Sequence, residues 1–258
     1  GLATGAIRPT DEHFDEYMDT LRIEPKTAHM RRKTINEFCE AFPTTDLVKR
    51  GEVQRWVDGQ ARNGRGASTL KRNLSDIRGY WKYLRRLEVV NPDHDPLDIE
   101  LPKPSKEERQ NQRTGFKPRE VSELYAAACR KGDDTLSDMI AIAMFTGLRA
   151  EEVCSLRCGD VDLDRGAISV HDSKTEDGDR DIPIHSRLRS ILENRVRHSP
   201  DGYVLPSLPA TKFGDRSSAP GKRFGTLKSS LGHGRNKVFH SIRKTVSTML
   251  EDAGVAEN

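Results

Sequence analysis

Cysteine is scarce in this chain, and long apolar runs are missing. The four cysteines (Cys39, Cys129, Cys154, Cys158) are scattered over 258 residues, and the nearest pair is spaced i, i+4 with no histidine beside it. That pattern offers neither a disulfide framework nor zinc-ligand spacing, so four reduced thiols and no metal are expected. No stretch approaches the ~20 apolar residues that cross a bilayer, and the N-terminus lacks the charged-then-apolar layout of a signal peptide. A cytoplasmic protein without a membrane partner is the expectation. Aromatic residues make up 6% and hydrophobic residues 34%, against 32% charged, which leaves a lean core for one large domain or two ordinary ones. The chain opens on Gly1, not Met, as a trimmed piece of a longer protein would.

A strong net charge is lacking too, since the formal balance is only +3. The distribution is more telling. Arg22 to Arg86 holds sixteen Lys/Arg and seven Asp/Glu, and Pro206 to Lys244 holds nine and one. Two separated basic zones on a nearly neutral chain suit a polyanion gripped at two places.

From Thr10 to Val90 the periodicity is helical, broken at Glu24-Pro25, at Phe42-Pro43-Thr44-Thr45 and at Asn63-Gly64-Arg65-Gly66, which predicts four helices. In the last of them Leu70, Leu74, Ile77, Trp81 and Leu84 form one apolar stripe. Lys71, Arg72, Arg78, Lys82 and Arg85 lie beside it with Asp76 as the only acid, a row of cations suited to phosphates. With Arg31, Arg32 and Lys33 in the first zone and Lys222 and Arg223 in the second, these are the candidate DNA-binding residues. Residues 1–94 read as a helical domain, 95–116 as a Pro-rich linker (Pro96, Pro102, Pro104), and 117–258 as a second domain. The second domain predicts helices near Pro118–Tyr125, Leu136–Phe145, Leu188–Val196 and Ser241–Leu250. Ala167–Val170 and Arg180–Ile184 read as strands around the turn-forming Asp172–Asp179, and Ser199–Gly234 reads as partly irregular.

Three motifs carry chemistry. Thr146-Gly147-Leu148-Arg149-Ala150-Glu151-Glu152 places Arg149 at a helix start with Glu152 on the same face. Lys174 lies between the two strands, ahead of Arg180-Asp181-Ile182-Pro183-Ile184. His240-Ser241-Ile242-Arg243 begins a final helix whose Val246, Met249 and Leu250 are expected to face inward. His240 and Arg243 are one turn apart, so both can address one phosphate.

This set, in this order, closely resembles the tyrosine recombinases (phage integrases), over nearly the whole chain. The resemblance implies a mainly α fold with a small antiparallel β-sheet: an N-terminal, SAM-like core-binding helical bundle and an α+β catalytic domain, closing on double-stranded DNA as a clamp. It implies Arg149, Lys174, His240 and Arg243 as catalytic residues and Glu152 as their support. Strands would be cut and rejoined through a 3′-phosphotyrosyl intermediate, by a homotetramer on two synapsed sites that is a monomer in isolation, with no cofactor. Two guanidiniums are suited to the extra charge of a pentavalent phosphate, Lys174 to protonating the departing 5′ oxygen, and His240 to moving protons at the nucleophile.

The pattern departs from the family at one place. All five tyrosines (Tyr17, Tyr80, Tyr83, Tyr125, Tyr203) precede His240, whereas the family's nucleophile follows the second arginine motif. Leu231-Gly232-His233 mimics a family segment but sits before His240, in the wrong order, and reads as a loop. The expectation is a truncated chain that binds DNA without cleaving it. The alternatives are an inactive DNA-binding regulator of the same fold and a type IB topoisomerase, which shares the arginine, lysine and tyrosine chemistry.

Overall fold

Helices dominate because the apolar residues recur at helical spacing and Pro or Gly stands at nearly every break. The computed structural model describes residues 7–93, 95–171 and 179–255. The chain divides into two compact units, Gly1–Gln110 and Asn111–Asn258.

The first unit is built from α1 (Phe14–Asp19), α2 (Pro25–Ala41), α3 (Arg50–Arg62), α4 (Ala67–Arg86) and the short α5 (Lys106–Gln110). Pro25 opens α2 at its first turn, where a missing N–H costs nothing. Gly64, at φ +86°, turns the chain between α3 and α4. The predicted stripe of α4 is the spine of the unit: Leu70, Leu74, Ile77, Trp81 and Leu84 are all buried, and α4 packs on α1, α2 and α3. Tyr80 is fully buried among the rings of Phe14 and Tyr17 and donates its hydroxyl to the Thr10 carbonyl at 2.6 Å. Leu97 and Ile99, from the segment read as a linker, belong to this core as well.

The second unit holds α6 (Pro118–Arg130), α7 (Asp134–Thr146), α8 (Ala150–Ser155), the strands β1 (Val161–Asp162), β2 (Ala167–Val170) and β3 (Arg180–Pro183), then α9 (Ser186–His198), α10 (Ser218–Ser230) and α11 (His240–Asp252). The sheet is antiparallel in the order β1-β2-β3, with Ile168 opposite Ile182 and Val170 opposite Arg180. Ile168 and Val170 face the core while Ala167 and Ser169 are only partly covered, as period-2 alternation requires. The central helix, α7, is apolar on nearly all sides. Asp133 caps its start by accepting from the Leu136 N–H, and Leu136, Met139, Ile140, Ile142 and Ala143 are buried. α6 lies along it on one side and α11 on another.

One expectation needs correction. Met249 and Leu250 do not face inward: both are about half exposed, and Val246 is half-buried. α11 docks instead through Ser241, Ile242 and Thr245, because the Thr245 hydroxyl accepts from the Phe116 N–H at 2.9 Å and fixes which face turns to the core. Within the stretch read as partly irregular, α10 forms despite two glycines and an early proline, held by the burial of Pro220, Phe224 and Leu227.

Truncating a spine residue tests this packing. Leu74→Ala is expected to lower unfolding free energy by about 2–5 kcal/mol in urea titration, whereas Lys71→Ala stays within about 0.5 kcal/mol.

Candidate active site

The local chain geometry around Gly147 brings two distant motifs together. Gly147 ends α7 in the left-handed conformation, at φ +68° and ψ +13°. A Cβ there would lie 3.3 Å from Val246 Cγ1 on α11. The glycine therefore serves both the turn and the close approach of the two helices. Its carbonyl accepts from Arg243 Nη1 at 2.9 Å, which aims Arg243 back across the end of α7. Leu148, buried, anchors the turn, and Arg149 follows as the N-cap of α8.

Glu152 organises the cations. Its Oε1 accepts from Arg149 Nη1 at 2.6 Å, and its Oε2 accepts from the Arg149 backbone N–H at 2.8 Å and from Arg180 Nη2 at 2.9 Å. Burial works to raise the Glu152 carboxyl, but these hydrogen bonds and the charges of Arg149 and Arg180 outweigh it and hold the group below the ordinary glutamate value of 4.5. Burial and the neighbouring charges of Arg149 and Arg180 make Arg243 slightly less basic than a free arginine. Two guanidiniums thus share the Glu152 carboxylate, and a third, that of Arg243, lies close enough to feel all three charges.

The predicted residues fall as follows. Arg149, Glu152 and Arg243 are brought together, with the Arg149 side chain about half exposed and Glu152 largely covered. His240 opens α11 one turn before Arg243 and is exposed. Lys174 lies outside the described residues. Of the candidate DNA-binding cations, Lys33, Lys71, Lys82 and Lys222 are exposed. Arg31 pairs with Asp76 at 2.8 Å and Arg32 with Asp15 at 2.5 Å. Arg72 reaches Asn73 Oδ1 at 3.1 Å, and Arg223 pairs with Asp133 at 3.2 Å. Arg78 donates twice to the Leu97 carbonyl, and Arg85 donates to that of Pro92. These last two tie the following segment back onto α4.

Sequence reasoning missed two supports. Glu151, beside Glu152, turns the other way and accepts from the backbone N–H groups of Arg216 and Ser217 and from the Ser155 hydroxyl, fixing the start of α10 to α8. Burial opposes its charge, yet these bonds hold its carboxyl below the ordinary range. Arg216 is buried, donates to the carbonyls of Cys154 and Leu205, and stacks on Tyr203, whose ring also carries Arg157. The doubled acid Glu151-Glu152 was the only available signal for the first, and nothing in the sequence pointed to the second. The Cys154 thiol is buried and pushed up to about 12, so it stays protonated at neutral pH and is no metal ligand.

Two measurements test the arrangement. The folded Glu152 carboxyl lies below its unfolded value, so its stabilisation is complete above pH ~4.5 and fades as pH falls through the lower folded value. Glu152→Gln should therefore flatten the acid side of a stability-versus-pH curve and leave its neutral-to-alkaline shape unchanged. Gly147→Ala should cost about 1–2 kcal/mol in urea titration, from the left-handed backbone and the pressed Val246 contact. An alanine variant as stable as the parent would refute the second requirement.

Comparison with known proteins gives the chain a family and a fold. Residues 115–257 match the model of the phage integrase family. The chain is 30% identical over 227 residues to a tyrosine recombinase XerC from Pseudomonas fluorescens, covering 80% of this chain and 72% of the relative. Its fold is similar to the Tn1549 transposon integrase solved in complex with a circular intermediate DNA, with a TM-score of 0.78 at 17% identity over 97% of this chain and 89% of that one. It is also similar to a lambda integrase tetramer bound to a Holliday junction, with a TM-score of 0.71 at 17% identity over 95% and 73%. A family match across more than half the chain, together with the XerC relative, places the protein in the phage integrase family of tyrosine recombinases.

Proposed function

We propose that this chain is the DNA-holding and phosphate-activating body of a site-specific recombinase that cleaves and rejoins strands through a 3′-phosphotyrosyl intermediate. The observation that carries the reading is the convergence at the end of α7 of Arg149 and Arg180 on the Glu152 carboxylate and of Arg243 on the adjoining Gly147 carbonyl. An attacked phosphodiester gains negative charge on its non-bridging oxygens, and a preorganised excess of guanidinium stabilises that state more than the ground state. In this reading Arg149 and Arg243 bind the scissile phosphate. His240, exposed one turn from Arg243, hydrogen-bonds it and moves protons at the nucleophile. Lys174 protonates the departing 5′ oxygen, and Glu152 holds Arg149. The rejoining energy stays in the phosphotyrosine, so no nucleotide cofactor or metal enters the scheme.

Double-stranded DNA is the partner, held by the helical first unit and by the catalytic second unit. The exposed Lys33, Lys71, Lys82 and Lys222 are the best-placed phosphate contacts, and Arg31, Arg32, Arg72, Arg78, Arg85 and Arg223 can turn to DNA only by sharing or leaving their present partners. The reading has four protomers acting on two DNA sites, a monomer when free, and a cytoplasmic setting. Support for the assembly comes from the lambda integrase tetramer solved on a Holliday junction.

The nucleophile is proposed to lie elsewhere than in these 258 residues. Each tyrosine here is otherwise engaged: Tyr17, Tyr80 and Tyr83 in the first core, Tyr125 against the second core beside Cys129, and Tyr203 under two guanidiniums. On a nicked suicide duplex the 258-residue chain should bind without forming a covalent adduct. An adduct that survives denaturation would defeat this part of the proposal. In the full gene product, Arg149→Ala or Arg243→Ala should slow cleavage by about 10²–10³-fold or more while duplex affinity changes only a few-fold. The double variant Lys71→Ala/Lys82→Ala should shallow the slope of log affinity against log salt by about 2.

A further inference from the structure

The function proposed above uses Arg149 and Arg243 and leaves Arg180 without a task. Resting on that reading, we propose that Arg180 is a positioning residue: it holds the Glu152 carboxylate in one plane and, through it, sets the direction of the Arg149 guanidinium toward the phosphate.

Three features of the geometry carry this. Arg180 occupies the oxygen of Glu152 that Arg149 reaches only with its backbone N–H, at 2.9 Å, which leaves Oε1 for the Arg149 guanidinium at 2.6 Å. A carboxylate anchored at one oxygen by two donors has little freedom to rotate, so the other oxygen has a fixed position. Exposure divides the labour. The Arg149 side chain is 49% exposed and Arg180 is 32% exposed, so Arg149 presents a surface to an incoming anion while more of Arg180 is spent on protein contacts. Finally, Arg180 has a rigid base. It begins β3 directly opposite Val170, whose side chain is buried in the core, so the guanidinium projects from a paired strand.

The charges give the same answer. Arg180 brings a second cation to the carboxylate that orients Arg149, which lessens the neutralisation of Arg149 by Glu152. A lysine would restore this charge but not the planar fork.

The test reads Arg149 itself in the 258-residue chain, with inorganic phosphate as probe. Arginine side-chain NMR, assigned by the signal lost in Arg149→Lys, reports rotation of the Arg149 guanidinium and its shift on phosphate addition. Arg180→Ala should speed that rotation and weaken phosphate binding by about tenfold, the order expected when a positioning group is loosened. Arg180→Lys should recover part of the affinity without slowing the rotation to the parent rate, and both variants should remain folded at the assay temperature by circular dichroism. Unchanged rotation and phosphate affinity within twofold in a folded Arg180→Ala would overturn the inference. So would equal losses in both variants with Arg149 signals unmoved, because that marks a general charge effect. If the alanine variant fails to fold, Arg180→Lys alone decides: parent-like Arg149 rotation refutes the role. Parent Arg149 signals that ignore phosphate would instead defeat the functional reading, while the dependence of their rotation on residue 180 still judges this one.

Discussion

A single carboxylate, that of Glu152, sets the order of the cationic site. Guanidiniums repel one another, and the carboxylate shared by Arg149 and Arg180 offsets that repulsion. Glu152 takes donors on both oxygens, from Arg149 twice and from Arg180 once, and so converts a repulsive cluster into a defined array. The surrounding fold serves that carboxylate. α8 starts where it does because Glu152 accepts from the Arg149 backbone N–H, and the strand register brings Arg180 alongside. Breaking a partly buried pair of this kind costs more than its net attraction suggests, because the remaining group is left desolvated and unpaired.

Glu151 gives the neighbouring half of the same logic. Two successive acids on one helical turn point to different partners. One carboxylate gathers side-chain cations, and the other collects backbone N–H groups at the start of α10. The favourable interaction of an anion with a helix N-terminus makes the second arrangement strong enough to hold a helix whose own sequence resists it. A single dipeptide therefore links the arginine-bearing start of α8 to the helix that carries Lys222 and Arg223.

Much of the fold was legible because its signals are local. The breaks at Pro25, Pro43 and Gly64 to Gly66 delimit helices of the first unit as predicted, and the stripe from Leu70 to Leu84 proved to be its spine. The two longer strands lay where β-branched residues flank a turn. What escaped was decided by tertiary partners. α10 has too little intrinsic propensity to be seen, since burial of Phe224 and Leu227 and a cap from residue 151 make it stable. The inward face of α11 was assigned to Met249 and Leu250 on hydrophobicity, but a hydrogen bond from Phe116 to Thr245 rotates the helix toward its polar residues. At the site, motif spacing pointed to Arg149, Glu152 and Arg243. The role of Arg180 could not be read, because its partner is 28 residues away and a strand register decides whether they meet. Spacing likewise places Arg78 and Arg85 on a cationic face but is silent about the Leu97 and Pro92 carbonyls to which they donate.

The bond from Arg243 to the Gly147 carbonyl joins residues 96 positions apart. Chains emerge from the ribosome N-terminus first, and contacts of such long sequence separation form late, after the local helices they connect. The first unit can therefore fold before Arg243 has been made, and the turn at Gly147 goes without its long-range anchor until α11 docks.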